Sequence, residues 1–300
     1  MSRLIRTLTV VMAGLGLVGV LATTATAQTS ARTAAGDAAP HVVFVTGDDE
    51  YRSEITMPMI AGILEAQGIR TSVAYARPIP QTKDNIEGLE ALDTADLMVM
   101  FTRFRALPDD QLQRIQRFVD SGKPLIGLRT STHAFLYPDG HARQALNDGF
   151  GRDVFGQKWM THHGSRSRTE VTIDVSNSPH TILNGVTPFQ ARSWLYHVAP
   201  LHDVDMVLLH GKSVDSNKSD EQLKTYPLEQ PVAWTKVYKG APVFFTTLGH
   251  PEDFEHEPMR RLVVNAVLWA LRRSVPESGA NVDVPGGYTA PETFDLSKVP

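Results

Sequence analysis

One stretch of this sequence contains a histidine and a carboxylate that could form an acid–base pair. His250 follows the apolar residues 242–247, and Glu252 lies two positions further on. A histidine at the end of a buried strand, with a carboxylate that orients its ring, is half of a catalytic triad. The nucleophile would lie on a sharp strand-to-helix turn, and residues 124–128 predict that strand. Arg129 follows it, however, and the chain contains no cysteine, so the sequence predicts a catalytic scaffold without its usual nucleophile.

A second candidate group contains two adjacent histidines, His162 and His163, close to Trp159 and between glycines. This grouping suits a sugar site, because an indole face can stack on a pyranose ring and imidazoles can exchange protons. The histidines could also bind a divalent metal such as zinc, together with His133 or His250 and an acid. Adjacent histidines lack the i, i+4 spacing of a helical zinc motif, so the metal signal is weak.

These residues must be positioned by strands and helices, and the hydrophobic pattern predicts which. Near-continuous apolar runs alternate with amphipathic helical patterns in the first half, which is typical of a parallel sheet covered by helices. The sequence therefore predicts an α/β fold with three layers, a mostly parallel sheet with helices on both faces. The predicted strands cover residues 41–46, 71–75, 96–101, 124–128, 169–175, 205–209, 232–236 and 243–247, and the predicted helices lie around 60–64, 108–119 and 257–273.

Polar residues recur at the carboxyl ends of these predicted strands. In open parallel sheets, ligands bind in the crevice beyond those ends, so residues from distant parts of the chain should meet there. The first strand is followed by Asp48, Glu50 and Tyr51, the third by Arg103, the fourth by Arg129 and His133, and a later one by His250.

The amino terminus resembles a secretory signal. Arg3 and Arg6 form a basic region, residues 8–22 are apolar, and residues 25–27 form a small-x-small cleavage site. We therefore expect export to the periplasm or the exterior after cleavage near Ala27; retention of the segment as an anchor is the alternative. The predicted organisation is a signal peptide at 1–27, a flexible lead-in at 28–40, one domain at 41–273 and an extended tail at 274–300.

Charge restricts the partners of the mature chain. The whole chain has a net charge of −4, and loss of two arginines with the signal would make it −6. This balance argues against nucleic-acid binding, which usually requires a basic surface. No later segment is long and apolar enough to span a bilayer, so we expect no membrane partner after cleavage. The sequence does not indicate an oligomeric state.

Taken together, several motifs resemble the ThuA-like, or trehalose-utilisation, family over about residues 41–272. The motifs that carry the resemblance are residues 47–51, 127–135, 155–159, 162–164 and 248–254.

The resemblance implies a flavodoxin-like fold of the class I glutamine amidotransferase type. Members of that class place a cysteine at the turn that Arg129 occupies here, so glutaminase chemistry is not expected. Arg129 would instead present a fixed cation to the crevice, able to hold a carboxylate, a phosphate or a developing oxyanion.

The family also implies a carbohydrate ligand, a disaccharide or a keto-sugar. We expect an enzyme in which His250 with Glu252 and His162 or His163 exchange protons while Arg129 stabilises negative charge. Asp48, Glu50, Tyr51, Arg103, His133 and Trp159 would bind substrate. The alternatives are a non-catalytic sugar-binding protein and a metal-dependent hydrolase.

Overall fold

The structure is a computed structural model, and it describes residues 39–79, 82–164, 166–176 and 179–295. The predicted signal peptide and residues 28–38 of the predicted lead-in lie outside these residues. No helix in the described ranges has the length and apolar composition needed to cross a membrane.

Strands and helices alternate through the first half of the described chain, and strands dominate the second half. The strands are β1 (His41–Gly47), β2 (Arg70–Ala76), β3 (Ile86–Glu87), β4 (Leu97–Thr102), β5 (Leu125–Leu128), β6 (Thr161–His162), β7 (Arg168–Ile173), β8 (Phe189–Ala191), β9 (Tyr196–His197), β10 (Val204–Val214), β11 (Glu229–Tyr238) and β12 (Ala241–Thr246). The α-helices are α1 (Ser53–Glu65), α2 (Asp109–Asp120), α3 (Leu146–Phe155), α4 (Asp220–Thr225) and α5 (Glu257–Ala270). The 3-10 helices are Leu89–Thr94, Arg129–His133, Thr181–Leu183 and Pro251–Glu255.

Ten strands form one sheet in the order β3-β2-β1-β4-β5-β12-β11-β10-β7-β8. The pairs β2–β1, β1–β4, β4–β5 and β5–β12 are parallel. The pair β3–β2 and the successive pairs from β12 through β11, β10 and β7 to β8 are antiparallel. A separate two-stranded ribbon joins β6 and β9. The predicted α/β fold is therefore confirmed, with a parallel half and an antiparallel extension.

Alternating side chains of the parallel strands pack on the two faces of the sheet. Val42 and Phe44 of β1 belong to the core that contains α1 and α5, whereas Val43 and Val45 belong to the core that contains α2 and α3. Because both faces are covered, β1 is buried along its whole length, which explains its unbroken apolar sequence. The predicted three-layer arrangement follows from this packing.

The segment after α5 contains no helix or strand between residues 274 and 295. It nevertheless packs on the domain, because Ala280 and Val282 are buried and the Ala280 amide donates to Asn265 Oδ1 at 3.0 Å. The predicted closing helix ends at Ala270, three residues before the predicted boundary.

Candidate active site

Three non-glycine residues with left-handed backbone follow three neighbouring parallel strands. Arg52 comes after β1 with φ 55°, Phe104 after β4 with φ 53°, and Arg129 directly after β5 with φ 41°. Such conformations cost on the order of 1–3 kcal/mol each and persist where the surrounding structure imposes them, frequently at functional sites. The carboxyl edge of the parallel sheet is therefore the first place to look for chemistry.

Close backbone packing holds the turn after β5 in place. A Cβ on Gly151 of α3 would lie 2.0 Å from the carbonyl oxygen of Thr132, in the 3-10 helix Arg129–His133. A Cβ on Gly127 of β5 would lie 2.5 Å from the Phe155 ring. Both contacts require glycine, because a side chain would push α3 away from the turn.

Arg129 is fully buried at this turn. Its Nη1 donates to the Thr247 carbonyl oxygen at 3.0 Å and its Nη2 to the Tyr51 hydroxyl at 2.9 Å. The guanidinium carbon lies 4.1 Å from the centroid of the Tyr51 ring and 4.7 Å from that of Tyr196. This placement corrects the expectation that Arg129 presents its cation to the crevice, because two tyrosines and a carbonyl enclose it.

The charge of Arg129 is not paired directly with an acid. Among the described residues it forms no ion pair with a carboxylate, and its buried Nε has no hydrogen-bond partner there. An unpaired cation in a poorly hydrated site acts strongly on neighbouring titratable groups. Arg129 can thus influence the site through its field and through Tyr51 without touching a ligand.

His250 lies on the other side of Tyr51, with ring centroids 5.8 Å apart in an edge-to-face arrangement. Its Nδ1 accepts a hydrogen bond from the Glu252 amide at 3.2 Å, so the ring proton resides on Nε2. Burial lowers the pKa of His250 to about 4; Asp253 opposes the shift and Arg129 adds to it. His250 is therefore neutral at pH 7 and can offer a hydrogen bond from Nε2.

The predicted pairing of His250 with the Glu252 carboxylate is not found. Within the described chain, no carboxylate forms an ion pair with the His250 ring, and the backbone of Glu252 orients it instead. The nearby acid that matters structurally is Asp253, which is fully buried. Its oxygens accept from the amides of Arg192, Ser193, Gly249 and His250 and from the Ser193 hydroxyl.

His162 is stacked between two tryptophans. Its ring lies 5.0 Å from Trp194 at an interplanar angle of 11° and 5.8 Å from Trp159 at 30°. Burial, followed by the charges of Arg129 and Lys218, lowers the pKa of His162 to about 4. Its ring nitrogens bond to no described residue, so this neutral imidazole is available to a ligand as a base.

His163 is held away from this group. It directly follows β6, and its ring contacts different residues from those around His162. It is fully buried, with Nδ1 2.7 Å from Ser216 Oγ and Nε2 3.2 Å from the Pro227 carbonyl oxygen. Both ring nitrogens are thus engaged, and the expectation that His163 is a second proton handler is corrected to a structural role.

His133 completes the group of imidazoles. Its ring lies 4.9 Å from Phe104, 5.2 Å from Trp159 and 6.2 Å from Tyr196, and Nδ1 is 3.0 Å from the Thr132 hydroxyl. Burial, with the charges of Arg103 and Arg129, holds the pKa of His133 well below its usual value. Trp159 therefore contacts both His133 and His162, as a stacking platform would.

The loop after β1 supplies the remaining predicted residues. Asp48 is buried and accepts from the Tyr51 amide at 2.9 Å and from the Thr130 hydroxyl. Burial raises the pKa of Asp48 to about 6, and burial likewise raises the pKa of Tyr51 to about 12. Glu50 is partly exposed at the rim and pairs with Arg103 at 3.3 Å. Glu50 and Arg103 therefore form an ion pair at the partly exposed rim, whereas Asp48 is enclosed.

The predicted residues therefore converge, and sequence reasoning missed four of their neighbours. Tyr51 links His250 to Arg129, and Tyr196 links Arg129 to His133 and His162. The sequence analysis assigned no role in the site to Trp194, Tyr196, Phe104 or Asp253. In the described parts of the chain, no group of three or more histidine, cysteine or acidic side chains is arranged to hold a metal ion.

Comparisons with known proteins agree on the family and fold. A family model described as ThuA, trehalose utilisation, matches residues 41–270. A ThuA-like protein from Parabacteroides merdae aligns with a TM-score of 0.58 and 14% identity over 82% of this chain and 96% of its own. A β-galactosidase from Rahnella sp. R3 aligns with a TM-score of 0.47 and 15% identity over 79% of this chain and 32% of its own. No curated protein matches the chain.

Proposed function

Since this chain belongs to the ThuA, or trehalose utilisation, family, we propose that it is a carbohydrate-active enzyme that uses neutral histidines for proton transfer. The observation that carries the proposal is the convergence of His133, His162 and His250 around Tyr51 and Tyr196. All three pKa values are lowered by burial. Each imidazole is therefore uncharged at neutral pH, the state in which it can act as a base or as a hydrogen-bond donor.

The arrangement suits a sugar that already carries a carbonyl group. His162 would take the proton from the carbon next to the carbonyl, and the electrons of that C–H bond would move to the carbonyl oxygen. His250 Nε2–H would donate a hydrogen bond to the developing oxyanion, while the field of Arg129 would stabilise its charge. The resulting enediolate can expel a leaving group from the next carbon, which is elimination, or take up a proton at the former carbonyl carbon, which is isomerisation. Neither step needs a covalent nucleophile.

The acids of the site favour this chemistry over simple glycoside hydrolysis. A glycosidase needs two carboxyl groups flanking the scissile bond. Asp48 is enclosed by Thr130 and the Tyr51 amide, and Glu50 is paired with Arg103. Glutaminase chemistry needs a cysteine, and the sequence has none. Trp159 and Arg103 with Glu50 would bind the sugar rings and hydroxyl groups.

The test is a screen of the purified protein against keto-disaccharides and their parent sugars, with and without added divalent metal. Incubation in D₂O with NMR detection reports exchange of the proton next to the carbonyl even without turnover. Replacing the base in His162→Gln, or the donor in His250→Gln, should lower the rate by about 10²–10⁴-fold while ligand binding survives. The exposed His141→Gln serves as the control.

The second candidate is a non-catalytic sugar-binding protein, favoured by the aromatic walls around His162. Binding without exchange or turnover, and equal small losses of affinity in both histidine variants, would support it. Full activity in the presence of a chelator would exclude the hypothesis of a metal-dependent hydrolase. We also propose export after cleavage near Ala27, which amino-terminal sequencing of the fractionated protein would test.

A further inference from the structure

The segment after α5 lies beyond the family match, which ends at residue 270, and its first part is anchored to the domain. Arg260 Nε donates to the Val282 carbonyl oxygen at 3.0 Å, and Gln67 Nε2 donates to the Asn281 carbonyl oxygen at 3.0 Å. With Ala280 and Val282 buried, this part is bound to α5 and to the turn that follows α1. The residues after Val282 therefore start from a fixed point on the domain.

Two glycines then turn the chain. Gly286 and Gly287 have φ values of 81° and 79°, and the Gly287 amide donates to the Val284 carbonyl oxygen at 2.9 Å. A Cβ at either glycine would meet nothing within 4 Å, so the backbone conformation, and not lack of space, requires glycine here. Residues 288–294, which we call the strap, begin directly after this turn.

The first half of the strap holds the 3-10 helix that follows His250. The Tyr288 hydroxyl donates to the Pro251 carbonyl oxygen at 3.0 Å. The Ala290 amide donates to Glu255 Oε1 at 3.0 Å. The helix Pro251–Glu255 includes Glu252, whose amide orients the His250 ring, so the strap contacts the element that sets that ring.

The second half of the strap holds the loop after β1. The Phe294 amide donates to the Glu50 carbonyl oxygen at 3.1 Å, and Arg52 Nη1 donates to the Glu292 carbonyl oxygen at 3.0 Å. The Arg52 guanidinium carbon also lies 4.2 Å from the centroid of the Phe294 ring. This loop carries Tyr51, the residue against which His250 packs.

We propose that the strap positions the site by tying the loop that carries His250 to the loop that carries Tyr51, with Tyr288 as the positioning residue for His250. The edge-to-face contact of His250 with Tyr51 joins two loops from different strands, β12 and β1. The strap is a second connection between the same loops, made through five polar or cation–π contacts. This inference rests on the proposed function only in giving His250 a role in chemistry.

The test uses the full chain and needs no substrate. Long-range ¹H–¹⁵N correlation spectra of the His250 ring report its tautomer and pKa, with His250→Gln identifying the signals. Tyr288→Phe keeps the ring and removes the hydroxyl. In Tyr288→Phe we expect both ring tautomers of His250 and a His250 pKa closer to 6.5. Hydrogen exchange of the Glu252 amide should be about five-fold faster than in the wild type, as loss of a hydrogen bond of about 1 kcal/mol implies. Tyr75→Phe, on β2, is the matched control.

Phe294→Leu tests the other end of the strap, and it is the variant to use if Tyr288→Phe does not fold. It should shift the His250 signals in the same direction. Unchanged tautomer, pKa and amide exchange would overturn the proposal, even if the melting temperature fell. Because these readouts are spectroscopic, they stand if no sugar is turned over. Conversely, the wild-type protein could turn over a sugar while Tyr288→Phe leaves the His250 signals unchanged. That result would show that the strap does not position His250, and the proposed function would still stand.

Discussion

Replacing Arg129 by methionine removes the charge of the buried guanidinium and keeps an unbranched side chain. Arg129 and His250 both contact the Tyr51 ring, at 4.1 and 5.8 Å from its centroid, so they lie within about 10 Å of each other. At an effective dielectric constant of about 20, unit charges at about 10 Å interact by about 1.7 kcal/mol. Since about 1.4 kcal/mol corresponds to one pKa unit, Arg129→Met should raise the pKa of His250 from about 4 to about 5.

The same substitution should raise the pKa of His162 by a similar amount, because both residues contact the Tyr196 ring. Titration of the histidine ring signals by NMR measures both values in one experiment. Two control variants separate the effects by position. Arg103→Met should raise the pKa of His162 more than that of His250, and Arg192→Met should do the reverse. Arg103 is among the leading charges that lower the pKa of His162, and Arg192 is among those that lower the pKa of His250.

A pKa change of less than about 0.3 at both histidines in Arg129→Met, with the fold retained, would refute this reasoning. It would mean that solvent or a counter-ion screens the guanidinium. The proposed stabilisation of an oxyanion by Arg129 would then lose its physical basis.

Two further predictions concern stability. The pKa values of His162 and His250 in the folded chain are about 4, below the ordinary 6.5. As the pH is lowered, the unfolded chain therefore binds protons before the folded chain does. The free energy of unfolding should fall as the pH is lowered from about 6.5 to about 4. Asp48, with its raised pKa of about 6, opposes this trend, and Asp48→Asn should therefore steepen it in urea titrations. Gly151→Ala should destabilise the protein by about 3 kcal/mol or more through the clash at the turn after β5, whereas Gly62→Ala, with nothing within 4 Å of the new Cβ, should stabilise it by about 0.5–1 kcal/mol. A lower free energy of unfolding in Gly62→Ala, or an unchanged one in Gly151→Ala, would contradict the packing described.

The sequence predicted the parallel half of the sheet because those strands are buried on both faces and read as unbroken apolar runs. The short strands β6, β8 and β9 have too few residues for any periodicity to show. Helix α3 was missed because Gly149 and Gly151 interrupt its pattern. The need for glycine at 151 arises from the carbonyl of Thr132, a long-range contact that no local pattern can reveal.

The sequence predicted where the candidate site lies better than it predicted which residues contact each other there. Strand ends predicted that Arg129, His133 and His250 lie at one edge, because parallel strands deliver their carboxyl ends there. His162 was predicted from its position near Trp159 and not from a strand end. The orienting role of Glu252 was assigned to its carboxylate, whereas the amide performs it. Asp253, one position later, is the buried acid, and its role depends on Ser193, which is distant in the sequence.

The replacement of a nucleophile by Arg129 has a physical consequence for the whole site. The turn after β5 keeps a left-handed residue, but its long side chain reaches inward and is enclosed by Tyr51 and Tyr196. Burial is the main cause of the lowered pKa values of His162 and His250, and a permanent cation in this position lowers both further. An uncharged imidazole is a competent base and hydrogen-bond donor, and in either role it forms no covalent bond to the substrate. In the proposed function, the residue that stands where an amidotransferase has its cysteine would also help to keep these imidazoles neutral for proton transfer at a carbonyl sugar.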